Sequence, residues 1–179
     1  MSTTKLPNLV IAGVVKAGTT SLFKYLSFHP DICASSIKET CYFMRHRYGQ
    51  WDPRYQDADD PHQQFQNYFC HCENQKYIME ATPGYFPGGK RVAIAMKEAL
   101  GEDVKVIIGL RNPVDRLVSV WKSKQRALEL PEDLSLAGYV QKCKSMPKEE
   151  KAKQENGIFA SIEDGLYADY LDEWTEVFG

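Results

Sequence analysis

The sequence contains no apolar run approaching the ~20 residues of a membrane span. Its opening residues, MSTTKLPN, hold no hydrophobic stretch of the kind that leads a secretory signal, so a cytoplasmic protein is expected. It also lacks a charge bias. Lys and Arg number 22 against 24 Asp and Glu, for a net charge of −2, which excludes a general polyanion-binding surface and with it nucleic acid as a partner. Any anion must therefore be recognised locally. No internal repeat and no second compositional region divide the 179 residues, which read as one domain long enough for a core. The five cysteines, at 33, 41, 70, 72 and 143, are odd in number and sparse, so reduced thiols are expected. Cys70-His71-Cys72 lacks two further ligands at metal spacing, and no metal site is expected.

What is present begins with Leu9-Val10-Ile11-Ala12, a short apolar run that reads as a buried strand. It breaks at Gly13 into Val14-Val15-Lys16-Ala17, and a helix starts near Gly18-Thr19-Thr20. A strand, a glycine-bounded loop and a helix start make an anion cradle, because unpaired N–H groups and the positive end of the helix dipole face the loop. Gly13 and Gly18 let the backbone approach a phosphate closely, and Thr19 and Thr20 add hydroxyls. An ordinary tight turn between strand and helix also uses Gly and Thr. The lysine separates the readings. A nucleoside-triphosphatase loop places lysine directly after the second glycine, followed by a hydroxyl for magnesium. Here Thr19 fills that slot and the lysine lies inside the loop as Lys16, giving GxxKxGTT.

This loop resembles the 5′-phosphosulfate loop, GxxKxGTTSL, of sulfotransferases that use 3′-phosphoadenosine 5′-phosphosulfate (PAPS). The resemblance continues through His29-Pro30, Lys38-Glu39 in SIKETCYF, Glu80-Ala81-Thr82-Pro83-Gly84-Tyr85-Phe86, and Arg111-Asn112-Pro113-Val114-Asp115-Arg116 with Ser119. The order is the family's, and carbohydrate-type members acting on heparan or chondroitin, with their bacterial relatives, are the most similar. It implies an α/β fold of the P-loop sulfotransferase type: three layers, with a central parallel sheet flanked by helices. It implies PAPS as donor, adenosine 3′,5′-bisphosphate as product, and no metal.

Carried over residue by residue, the resemblance gives Lys16, Ala17, Gly18, Thr19, Thr20 and Ser21 to the 5′ end of the donor. Arg111 and Ser119 go to its 3′-phosphate; a planar guanidinium at a strand's end suits that role. Glu39 becomes the base that takes the acceptor's proton, with Lys38 beside it in contact with substrate or the transferring group. Taken alone, the pair reads equally as a surface ion pair. Glu80, Thr82 and Tyr85 fall on the acceptor side, although a Pro-Gly turn with packed aromatics fits the same residues. Heparan-type relatives carry histidine at the position of Cys41 and lysine at that of Ala81. This chain instead has Arg45-His46-Arg47, which would suit an anionic acceptor or make a solvated turn, and which is similar to the chondroitin GalNAc-4-sulfate 6-O-sulfotransferase type.

Along the chain, helices are expected over 18–28, from Asp60-Pro61, over 88–100, 113–127, 131–144 and 161–178, with strands over 32–34, 77–81 and 104–110. In the first helix Leu22, Tyr25 and Leu26 are spaced to face inward; in the third, Val92, Ile94, Ala95 and Ala99. The 104–110 run has the continuous apolar character of a central strand covered on both faces. Arg116 and Asp115 read as structural, and the charged stretch 145–157 as a mobile surface connection. Gly165, Tyr167, Leu171, Trp174 and Phe178 match a closing pattern of the family, after which relatives continue with a strand and a loop over the nucleotide; those are expected to be lacking here. Two rival readings remain at this point, a small-molecule kinase using ATP and a truncated nucleotide-binding domain without activity. The acceptor class expected is a small molecule or glycan, and the oligomeric state is not legible.

Overall fold

The computed structural model describes residues 5–179; residues 1–4 of the opening segment lie outside the described residues. Four parallel strands form one sheet in the order β2-β3-β1-β4, where β1 is Leu9–Gly13, β2 Ile32–Ala34, β3 Tyr77–Ala81 and β4 Lys105–Ile108. β1 is buried throughout, paired with β3 (Leu9 opposite Met79) and with β4 (Leu9 opposite Lys105). The interior strands are therefore β3 and β1. The stronger apolar run, β4, lies at the sheet's edge among the described residues, with Lys105 exposed and the other three positions half-buried. Apolar content reports burial but not strand order, which is set by the crossovers.

Helix α1 (Thr19–Ser27) covers one face, where Leu22, Phe23 and Leu26 pack on Leu9, Ile11, Met79 and Ala81. Tyr25, expected inside, is 74% exposed, and Phe23 takes its place. The other face carries α5 (Gly89–Leu100) and α9 (Tyr167–Phe178), with Val92, Met96 and Trp174 buried against Val10 and Ala12. In α5 the inward positions are Val92, Ala93, Ala95 and Met96, while Ile94 is exposed. This is the three-layer α/β arrangement expected.

Between β2 and β3 lie α2 (Met44–Tyr48), α3 (Pro53–Gln56) and α4 (Pro61–Asn67). Asp60 caps α4, accepting from the N–H groups of His62 and Gln63, with Pro61 in the first turn. The Gln63 side chain turns away to Asn67 and does not return to Asp60, so only half of a reciprocal capping box is formed. Phe65 and Phe69 are fully buried, and Tyr42 stacks on Phe65 at 4.3 Å. Cys33 in β2 is joined to Cys72 by a disulfide, which corrects the expectation of five reduced thiols; Cys41, Cys70 and Cys143 are free.

After β4 come α6 (Pro113–Arg126), α7 (Leu136–Ser145) and α8 (Lys148–Lys151). The Asn112 side chain caps α6. Helix α7 begins at Leu136, not at Pro131, because Ser135 caps it through the N–H of Gly138 after a turn closed from Leu134 to Pro131. The 145–157 stretch is built into the structure. It contains α8 and the start of a 3-10 segment, Gln154–Phe159, and Lys151 is buried with its ammonium on the Cys143 carbonyl (2.9 Å) and on Glu163. A 3-10 turn, Glu163–Gly165, delays the start of α9 to Tyr167.

Candidate active site

The carboxyl ends of β1 and β4 open together, and in a parallel sheet such a crevice is where ligands sit. The loop after β1 is held from both sides. Val14 N–H donates to the Gly109 carbonyl (2.9 Å), Gly109 N–H to the Gly13 carbonyl (3.0 Å), and Ala17 N–H to the Val14 carbonyl (3.1 Å). Lys16 adopts a left-handed backbone, φ 69°, a conformation that costs a non-glycine residue about 1–3 kcal/mol and clusters at functional sites. Gly18 has φ 81° with open space where a side chain would stand. Gly13 serves packing instead, since a Cβ there would lie 2.7 Å from Phe86 Cβ. Helix α1 starts at Gly18 with no side-chain cap and no acidic residue in its first turn.

A cavity of about 450 Å³ lies over this helix start, lined by Lys16, Gly18, Thr19, Thr20, Arg111 and Ser119, with Glu39 at its rim. Ala17 and Ser21 belong to the same loop and first turn but do not line it. Arg111 donates from Nη1 to the Lys16 carbonyl at 3.1 Å, and Tyr167 Oη donates to the Arg111 carbonyl at 2.8 Å. An uncapped helix start, a loop lysine and an arginine fork fit a ligand with two anionic groups. Sequence reasoning missed Ser123 and Lys124, which also line the cavity. Their signal was present, because Ser119 and Ser123 stand four residues apart on one face of α6.

A second cavity, about 600 Å³, adjoins the first, and Glu39, Val15, Val120 and Lys124 line both. Glu39 thus stands where the two spaces meet. Its side chain is 55% exposed and its Oε1 lies 2.6 Å from Lys38 Nζ. Lys38 lines neither cavity and reaches the site through that ion pair. The backbone around Glu39 is tied at each position. Glu39 N–H donates to the Ala81 carbonyl (2.8 Å), Arg54 Nη1 to the Glu39 carbonyl (2.6 Å), and Cys41 N–H to Thr82 Oγ1 (3.2 Å). Arg54 is a contact that the sequence did not announce.

The residues assigned to the acceptor side separate into three groups. Thr82 and Arg47 line the second cavity, but Arg47 holds both Asp164 oxygens (3.0 and 3.2 Å) and the Gly84 carbonyl. Burial pushes the Asp164 carboxyl up, with Arg47 and Arg116 pulling it back. Arg45 is outside both cavities, stacked over Trp51 at 4.2 Å and bonded to His46. Glu80 and Tyr85 are fully buried beneath the turn that carries Glu39. Neither lines either cavity. Arg116 is buried, its guanidinium on the Ser161 carbonyl, as a structural residue would be. Cys41 lines the second cavity, and burial raises its thiol pKa to about 12, against the pull of Arg54. Among the described residues, one group of three potential metal ligands occurs, Cys33, His71 and Cys72, two of them in the disulfide.

The family description "Sulfotransferase domain" matches residues 6–178. The membrane-associated sulfotransferase kil1 of Dictyostelium discoideum is 35% identical over 65% of this chain and 22% of its own length. Human heparan sulfate glucosamine 3-O-sulfotransferase 3B1 is 27% identical over 97% of this chain and 39% of its own. The chain therefore spans well under half of these relatives. A crystal structure of a sulfotransferase from Alicyclobacillus acidocaldarius superposes with a TM-score of 0.79 at 28% identity, covering 98% of this chain and 70% of that one.

Proposed function

The chain belongs to the sulfotransferase domain family, and from that premise we propose that it moves a sulfuryl group from PAPS to a hydroxyl of a carbohydrate acceptor. The observation that carries this reading is the position of Glu39 at the junction of an anion-suited cavity and a second, larger one. Lys16, Gly18, Thr19 and Thr20 would hold the 5′ end of the donor, and Arg111 with Ser119 its 3′-phosphate. The donor supplies an activated sulfuryl group whose leaving partner is a phosphate. Lys16 sets a positive charge where negative charge grows on the departing oxygen, the preorganised stabilisation that contributes most to such transfers. The ion pair occupies Glu39 Oε1, so Oε2 is the oxygen that takes the acceptor's proton.

The acceptor cavity carries both signs of charge, and its cations are engaged. Arg47 is paired with Asp164, Arg116 holds Ser161, and Lys124 lies 2.6 Å from Glu129. Such compensated walls suit a hydroxyl-rich ligand read by hydrogen bonds. The heparan sulfate enzymes among the relatives support a glycan acceptor. The test is transfer of radiolabelled sulfate from PAPS to a panel of neutral oligosaccharides, glycosaminoglycans, phenols and small alcohols. Label in an oligosaccharide or glycosaminoglycan supports the reading; label confined to phenols, or none above a Glu39→Gln control, overturns it.

A further inference from the structure

Glu80 ends up in a place that neither acceptor contact nor simple packing accounts for. It is fully buried at the end of β3, yet it is a carboxyl group. Its Oε1 accepts from Thr40 Oγ1 at 2.8 Å and from Thr82 Oγ1 at 2.5 Å, while its Oε2 is buried without a hydrogen-bond partner among the described residues. Thr40 lies between Glu39 and Cys41, and both of those hold left-handed backbones, φ 64° and 60°. Non-glycine residues keep that conformation only where the surroundings over-determine it. The surroundings here converge on Glu80. One of its hydroxyl partners is the side chain at the centre of the turn, and the other, Thr82, also accepts the Cys41 N–H. Tyr85 Oη lies 3.4 Å from Thr40 Oγ1 and accepts the Phe43 N–H. Tyr55 Oη donates to the Thr40 carbonyl at 2.9 Å.

We propose that Glu80 is a positioning residue for Glu39: its buried carboxyl, through Thr40 and Thr82, holds the 39–41 turn so that Glu39 stands at the junction of the two cavities. The inference rests on the reading of Glu39 as the base. An uncharged carboxyl suits the site, because an ionised oxygen buried without a donor would be costly. Burial pushes the Glu80 pKa up to about 7, against the hydrogen bonds from Thr82 and Thr40 and the charge of Lys38. The other titratable groups facing it are Cys41 on the turn, Tyr55 on α3 and Tyr85 after β3, all with pKa values raised by burial. A carboxyl whose pKa is higher in the folded than in the unfolded chain contributes fully at acid pH. Its contribution is lost as pH rises through the folded value. The turn therefore loosens above about pH 7.

Two measurements on the full chain test this, one independent of activity. Amide hydrogen-exchange protection at Glu39 and Cys41 is followed between about pH 5.5 and about 8.5 in wild type, Glu80→Gln, Glu80→Ala and Thr40→Val. The expected result is wild-type protection falling through neutrality, protection independent of pH in Glu80→Gln, and low protection throughout in Glu80→Ala and Thr40→Val. In parallel, kcat should fall up to about a hundredfold in Glu80→Ala, with KM for the donor unchanged. Glu80→Gln should stay near wild type and lack the decline above neutrality. Thr40→Val keeps the test decisive should Glu80→Ala fail to fold. Unchanged protection and kcat in Glu80→Ala or Thr40→Val overturn the proposal, as does Glu80→Gln behaving like Glu80→Ala. A wild-type chain that transfers nothing refutes the base reading of Glu39, while the exchange data still decide whether Glu80 holds the turn.

Discussion

Arg111 Nη1 donates to the carbonyl oxygen of Lys16 at 3.1 Å, so the strand end that offers an arginine fork also buttresses the loop that offers a lysine. The two elements proposed to hold the donor's anionic groups follow β4 and β1, 95 residues apart, and are held as one unit. A change at either residue therefore reaches the other.

Arg111→Ala should weaken binding of adenosine 3′,5′-bisphosphate by at least about tenfold, since a hydrogen bond to a charged group contributes about 1.5–3 kcal/mol. Arg111→Lys should recover little of this, because a point charge does not replace a planar fork. Titration calorimetry on the three proteins checks both. Equal affinities would remove Arg111 from the nucleotide site.

Glu39→Gln should abolish sulfate transfer and leave affinity for the bisphosphate within about twofold. The glutamine keeps the shape and loses the proton acceptor. Equilibrium binding alongside single-turnover transfer separates the effects. Joint loss of binding and transfer would count against Glu39 as the base.

Arg47→Ala should act on stability first. Its side chain is 12% exposed, its Nη2 donates to both Asp164 oxygens, and removing one partner of a buried pair costs about 3–5 kcal/mol. Denaturant unfolding should show a loss of about 3 kcal/mol, and Asp164→Asn should reproduce much of it. A variant of normal stability with a raised acceptor KM would return Arg47 to the substrate side.

Thiol counting tests the cysteine pairing. Under oxidising conditions the denatured chain should show three titratable thiols, Cys41, Cys70 and Cys143, and after reduction all five. In the folded protein Cys70, which is exposed, should react first. Cys41 should lag, because burial raises its thiol pKa to about 12 and the thiolate is the reactive form. Closing a loop between positions 39 residues apart corresponds to about 4 kcal/mol in the chain-entropy description, so reduction should lower the melting temperature by about 8–16 °C.

The loop after β1 was legible in the sequence because its pattern is local: a strand, a shifted lysine and a helix start within about a dozen residues. The bounds of β2 and β3 and the helix start at Asp60-Pro61 were readable for the same reason. What escaped depends on partners far along the chain. Arg47 reads as a surface cation until Asp164, 117 residues on, is seen to hold it. Glu80 reads as a cleft residue until Thr40, 40 residues back, covers it. β4 reads as central until the strand order puts it at the edge beside β1. Tyr25 satisfies the helical spacing, but the sheet meets Phe23 instead.

Lys16, lying inside the loop, is proposed to select a phosphosulfate donor over a magnesium-bound triphosphate. The most direct test compares the affinity of adenosine 3′,5′-bisphosphate in EDTA with that of ATP in excess magnesium, each with wild type and Arg111→Ala. The account predicts that the bisphosphate binds at least about a hundredfold tighter, a difference of about 2.7 kcal/mol, and that Arg111→Ala erases most of that preference. ATP with magnesium binding as tightly as the bisphosphate, and indifferent to Arg111, would contradict it.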